Sequence, residues 1–184
     1  MRTDRLQKEY EIQVRWVAFP LHPETPEDGL TLEELFAGRN IDIDKARERL
    51  RQVARELGLP LGERKKTYNS RLAQELAKWA ELKGKGDAFH KAVFEAYFVG
   101  GKNIGKVDEL ILLAQFLGLP DEDAREVLMS RSFKEAVDTD WSRCHALGIT
   151  AVPTFVVDHQ GVVGFQPYEV LDQLLQSKQI KKRT

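Results

Sequence analysis

Strand-like sequence occurs at only two places in this chain, and the long stretch between them reads as helix. That distribution narrows the fold more than any other feature of the 184 residues. The first place is "EIQVRWVAF", residues 11–19. Ile12, Val14, Trp16 and Ala18 alternate with Gln13 and Arg15, the period-2 signature of a strand. Val17 and Phe19 make the other face apolar too, which predicts a buried strand. The second place holds "TFVVD" and "GVVGF", a hairpin whose turn is expected at His159 and Gln160, with Gly161 supplying flexibility. A short helix over residues 2–10 precedes the first strand. Pro167 opens a last helix, with Val170, Leu171, Leu174 and Leu175 on one face.

Residues 31–147 read as almost wholly helical. Thr31 and Glu34 spell a capping box. Asp44 is positioned to cap a helix with Leu50, Val53, Ala54 and Leu57 inward, stopped by Gly58 and Pro60. Asn69 or Ser70 caps the next, with Leu72, Leu76, Trp79 and Ala80 inward and Gly84 as its stop. Asp87 opens a third, bearing Phe89, Val93, Phe94, Tyr97 and Phe98 and ended by Gly100 and Gly101. Residues 107–117, 122–129 and 132–147 complete the block. The class is α/β, α+β by content, with a large all-helical insertion. The expected division is a strand-bearing domain over 1–22 and 146–184 and a helical domain over 23–145.

Composition sets limits on function. The formal net charge is -1, which implies no general attraction to nucleic acid or to an anionic membrane. No apolar run approaches the ~18 residues of a membrane-spanning helix. Residues 1–13 lack the apolar core of a secretion signal. A single cysteine, Cys144, excludes an internal disulfide, and a cytoplasmic location fits. The basic end, with Lys178, Lys181, Lys182 and Arg183, reads as a solvated terminus.

Pro153 is the oddity. It stands at the mouth of the strand beginning at Thr154, a few residues after a helix, in "GITAVPTFVVD". Proline donates no backbone hydrogen bond, so it fits the first residue of a strand or an edge. A cis X–Pro bond costs only about 0.5–1 kcal/mol, so Val152–Pro153 is either a cis site or a trans proline that begins a strand. A cis bond there would turn Val152 outward to pair with an extended peptide.

Several segments together resemble one family. "VRWVAFPLHPETPEDG" is similar to a second core strand and its loop. "NSRLAQELAKWAELKGKGDAFHKAVFEAYFVGGKNIGKVDELILLAQFLGL" is similar to an inserted helical domain. "LGITAVPTFVVD" is similar to a cis-proline loop, and "GVVGFQPYEVL" to a closing strand and helix, with Phe165 where relatives usually carry alanine. In order and spacing these resemble the DsbA-like thioredoxin-fold oxidoreductases, in their FrnE-like cytoplasmic branch. The resemblance implies a cis bond at Val152–Pro153 and a substrate backbone held by Val152, Pro153 and Thr154.

The family's redox motif, C-x-x-C at the start of the first helix after a first core strand, is absent from this sequence. A helix N-terminus stabilises a thiolate there, and the second thiol resolves the mixed disulfide. The resemblance therefore implies that Met1 is a misassigned start or an artificial boundary, a few residues past the motif, and that this chain lacks its catalytic residues and is inactive. Loss of a central strand would expose two edges and favour homo-oligomers. The implied partners are protein or glutathione thiols and disulfides, with glutathione as a co-substrate and no resident cofactor. Two other readings stay open: a glutathione-dependent isomerase or transferase of the 2-hydroxychromene-2-carboxylate isomerase and kappa class, and a binding remnant without catalysis.

Other candidates are weaker. Cys144 shares a helix face with Phe133, Val137 and Trp141, where a thiol is usually a small buried hydrophobe; the alternative is an auxiliary thiol near the proline loop. His22, His90, His145 and His159 show no metal-ligand spacing, so no metal site is expected.

Overall fold

The computed structural model describes residues 2–183. Met1, the residue on which the expected false start falls, lies outside them. The chain divides into two compact units, Met1–Leu21 with Asp138–Thr184, and His22–Val137. The chain passes between them twice, at Leu21–His22 and, inside a helix, at Val137–Asp138.

In the first unit, α1 (Arg2–Glu9) buries Leu6, and the adjoining Tyr10 is fully buried. All of the helix α8 (Lys134–Ala146) after its first turn belongs to this unit. Strands β3 (Thr154–Val157) and β4 (Gln160–Val163) form an antiparallel hairpin, with Phe155 opposite Val162. The helix α9 (Tyr168–Ser177) buries Leu171, Leu174 and Leu175. Phe155, Val157 and Val162 pack on Leu6, Tyr10, Leu171 and Leu175, so α1 and α9 cover one face of the hairpin. Val156 and Val163, on the other face, are 38% and 54% exposed.

Three expectations for this unit need correction. Residues 11–19 form no strand. They keep the alternating exposure of an extended chain, and Val17 is exposed rather than buried. A strand is defined by its ladder, and only Tyr10, at the start, bridges to Lys182. The hairpin turns at Asp158 and His159, both at positive φ (45° and 65°), whereas Gly161 lies within β4. Positive φ at both central residues is the requirement of a two-residue hairpin turn whose twist matches the strands, and aspartate tolerates it well. The basic end is not merely solvated: Glu11 N–H donates to Lys181 C=O at 2.8 Å, and Arg183 N–H to Glu9 C=O at 2.9 Å. The Arg183 Nε also donates to the Gln7 and Tyr10 carbonyls, which satisfies carbonyls at the end of α1.

The second unit is helical apart from a small antiparallel pair that the sequence did not announce, β1 (Leu30–Thr31) with β2 (Lys66–Thr67). The helix α2 (Leu32–Leu35) starts on the complete Thr31–Glu34 capping box. The helix α3 (Ile43–Glu56) is capped by Asp42, not Asp44, because the Asp42 carboxylate reaches Lys45 N–H. Its apolar face is largely unburied; of the expected inward residues only Ala54 is buried, and Leu50 and Leu57 are exposed. The core belongs to α4 (Arg71–Leu82), α5 (Gly86–Phe94), α6 (Val107–Phe116) and α7 (Asp121–Ser130), with Leu76, Phe89, Leu110 and Ala114 fully buried. A π-helical turn, Glu95–Val99, extends α5. A Cβ at Gly62 would lie 2.0 Å from the Val99 carbonyl oxygen, so that close approach requires glycine.

The core of this unit also contains a carboxylate. Glu75 is fully buried on α4. It accepts from Arg71 Nε at 2.5 Å and from Arg131 Nε and Nη2 at 2.7 Å. Burial pushes its pKa up, but the Arg131 and Arg71 hydrogen bonds outweigh burial and hold it below the usual carboxylate value.

Candidate docking site

The site begins where α8 stops. Gly148 takes a positive φ of 65°, its N–H donating to His145 C=O at 2.9 Å, and Ile149 N–H donates to Cys144 C=O at 3.0 Å. Those bonds occupy the last carbonyls of the helix and release the chain into the loop. The Val152–Pro153 peptide bond is cis. Thr154 turns its hydroxyl back to Ala151 C=O at 2.6 Å, so its side chain shapes the loop.

The ladder of the hairpin orients the backbone. Gly164 N–H donates to Pro153 C=O at 2.7 Å, just outside the Thr154–Val163 pair. In an antiparallel pair the residues that bond inward alternate with residues that point away. Phe155 and Val157 therefore bond to β4, while the N–H and C=O of Thr154 and Val156 point to the opposite edge. That edge carries no strand among the described residues. Val152, before it, is 45% exposed, and neither its N–H nor its C=O meets a hydrogen-bond partner among the described residues.

Phe165 follows Gly164 and is 56% exposed. The Arg2 guanidinium lies over its ring, 3.7 Å from the centroid. The pairing was not legible in the sequence, where Phe165 stood out only as a residue in a position where relatives usually carry alanine.

Cys144 is 4% exposed on α8 and is not open to the loop. Its S–H faces the Ala18 carbonyl at 3.6 Å. Burial, reinforced by Asp140, pushes the thiol pKa up, against a smaller opposite pull from Arg143. A thiol of this kind is a poor nucleophile at neutral pH. Asp140, one turn earlier, was not anticipated. It is 1% exposed, accepts the Ala18 N–H at 2.9 Å and lies 3.3 Å from Arg15 Nη2. No cluster of metal-ligating side chains occurs among the described residues. Among the described residues, no helix is long and apolar enough to cross a membrane.

Comparison with known proteins adds the following. A family model described as a DSBA-like thioredoxin domain matches residues 1–176. The uncharacterized protein YwbO of Bacillus subtilis is 30% identical over 112 residues, which is 60% of this chain and 56% of that protein, so the match spans about half of the relative's length. A solved structure described as a probable DsbA oxidoreductase of Streptomyces coelicolor superposes with a TM-score of 0.87 at 25% identity, covering 100% of this chain and 84% of the other. A 2-hydroxychromene-2-carboxylate isomerase superposes with a TM-score of 0.74 at 20% identity, over 97% of this chain and 85% of that one, a likeness of fold.

Proposed function

The chain belongs to the DSBA-like thioredoxin domain family, and on that premise we propose that it carries the peptide-docking half of a thiol–disulfide oxidoreductase. The observation that carries this reading is the open backbone of Val152, exposed and unpaired at the head of the free β3 edge. An extended peptide bearing a cysteine would add to it as a short strand, its backbone groups meeting those of Val152. Pro153 and the Thr154–Ala151 hydrogen bond hold that loop in shape.

The exchange itself needs a thiolate, and Cys144 is buried. In this reading a strand and a C-x-x-C segment encoded upstream of Met1 supply it. One thiolate attacks a substrate sulfur, forming a mixed disulfide and releasing the other substrate sulfur as a thiol. The second motif thiolate then closes the motif disulfide and releases the reduced substrate. The same steps run backwards for oxidation. Two observations support a further strand: residues 11–19 are extended without a ladder, and β3 has an unpaired edge. Such edges also favour self-association of the chain as given. Thiols in peptides or glutathione are the partners, in a reducing, cytoplasmic compartment.

A dithiol–disulfide assay on the 184-residue chain and on the product of the same reading frame extended upstream tests this reading. An inert short chain and an active longer one are expected. Robust insulin reduction by the short chain, or a stop codon directly upstream, overturns it. The likeness of fold to 2-hydroxychromene-2-carboxylate isomerase favours one second reading, a glutathione-dependent isomerase in which Val152 docks the glutathione backbone. An extended product with a single serine or cysteine at the helix start, and no dithiol activity, would select it.

A further inference from the structure

Arg2 is an unusual arginine. Its side chain is substantially covered, and its Nη1 is buried without a hydrogen-bond partner. It joins no salt bridge among the described residues; its recorded contact is the face of Phe165. Stacking on an aromatic ring leaves the edge of a guanidinium free, and that edge carries the donors that match a carboxylate. A buried donor without an acceptor is costly, so an arginine held this way is poised for a missing anion. The aromatic partner is itself more than half exposed, so the ring offers a ligand an open shelf beside the cation.

The shelf adjoins the docking loop. Gly164, bonded to Pro153 C=O, is the residue before Phe165. The Cα of Phe165 therefore lies within about 9 Å of that of Pro153. An extended tripeptide spans about 10 Å, so a ligand paired with Val152 reaches the shelf with a carboxylate one residue from its thiol.

We infer that Arg2 and Phe165 form a carboxylate subsite beside Val152, which selects thiol peptides with a carboxylate next to the cysteine. Glutathione and an acidic cysteine-containing peptide share that chemistry. The subsite deepens the docking reading above and rests on it. The guanidinium fork pairs with the carboxylate, and the Phe165 ring keeps the fork in place and covers the apolar part of the ligand.

The test uses S-methylglutathione, which cannot exchange, its diester, and an acidic peptide with an S-methylated cysteine. Each is titrated into the intact chain while backbone amide shifts are followed by NMR. The Val152 amide should move with both acids. Affinity should fall about tenfold or more for the diester, and equally for S-methylglutathione on Arg2→Gln. The diester should bind wild type and Arg2→Gln alike. The stronger of the two acids identifies the source of the carboxylate. A shift at Val152 with equal affinities for acid and diester overturns the subsite and leaves the docking reading standing. No shift at Val152 with any ligand overturns both. The diester comparison uses the unmodified protein, so it decides the matter even where Arg2→Gln fails to fold.

Discussion

Asp140 takes the backbone N–H of Ala18 from a position that is 1% exposed. Together with Cys144, whose sulfur faces the Ala18 carbonyl, it occupies both polar backbone groups of one residue. In a sheet those groups would face a neighbouring strand. Here side chains one turn apart on α8 serve them, so Ala18 itself has no backbone group left for a ladder.

Asp140→Ala removes the acceptor and leaves the Ala18 N–H unpaired. A loss of about 1–3 kcal/mol is expected. Urea denaturation followed by tryptophan fluorescence reads it, and an unchanged midpoint would contradict this role for Asp140.

Cys144 should resist modification. Its thiol is buried and its pKa raised, so Ellman's reagent at neutral pH should label the native chain far more slowly than the unfolded one. Stoichiometric labelling of the native protein within seconds would show an open thiol and revive an auxiliary redox role.

Glu75 ties stability to pH. Its folded pKa lies below its unfolded value of about 4.3, so its contribution is complete above that value and is lost as pH falls through the folded pKa. Stability should therefore decline below about pH 4–5, and Glu75→Gln should flatten the decline. At neutral pH the substitution should cost about 3 kcal/mol, the low end for a broken buried pair, because Arg131 is 41% exposed while Arg71 is 14% exposed. Denaturation curves at several pH values measure both effects. A wild-type slope in Glu75→Gln would assign the acid sensitivity elsewhere.

The open β3 edge predicts association. Light scattering of the chain as given should show a mass that rises with concentration. Val156→Lys places a charge on the exposed face beside that edge and should return the sample to monomer without breaking the hairpin. A monomer in the unsubstituted chain at all concentrations would count against edge pairing.

The helices of residues 71–130 were legible because their apolar stripes face one another within a short stretch of chain. The stripe of α3 was equally clear, yet Leu50 and Leu57 are exposed, since periodicity records which face is apolar and not whether anything covers it. The strand expected over residues 11–19 failed for a related reason: alternation describes one chain, and a strand requires two. Glu75 sat unremarked beside Leu76. The Arg71 spacing of i, i+4 was a visible clue, but the decisive Arg131 is 56 residues away. Asp140 was hidden in the same way, its meaning set by a segment 122 residues earlier. Arg2 and Phe165 lie at opposite ends of the sequence, and stacking between them has no local signature.

The grip of Arg183 on the end of α1 has a practical side. Three backbone carbonyls in or beside that helix, those of Gln7, Glu9 and Tyr10, are served by one residue near the carboxyl end. Exopeptidase removal of Arg183 would strip them at once, and each lost bond is worth about 1 kcal/mol. Batches of differing intactness would then melt at different temperatures although their sequences agree over nearly their whole length. Intact mass is thus the first quantity to compare between two preparations, and a purification tag belongs where it leaves the carboxyl end untouched.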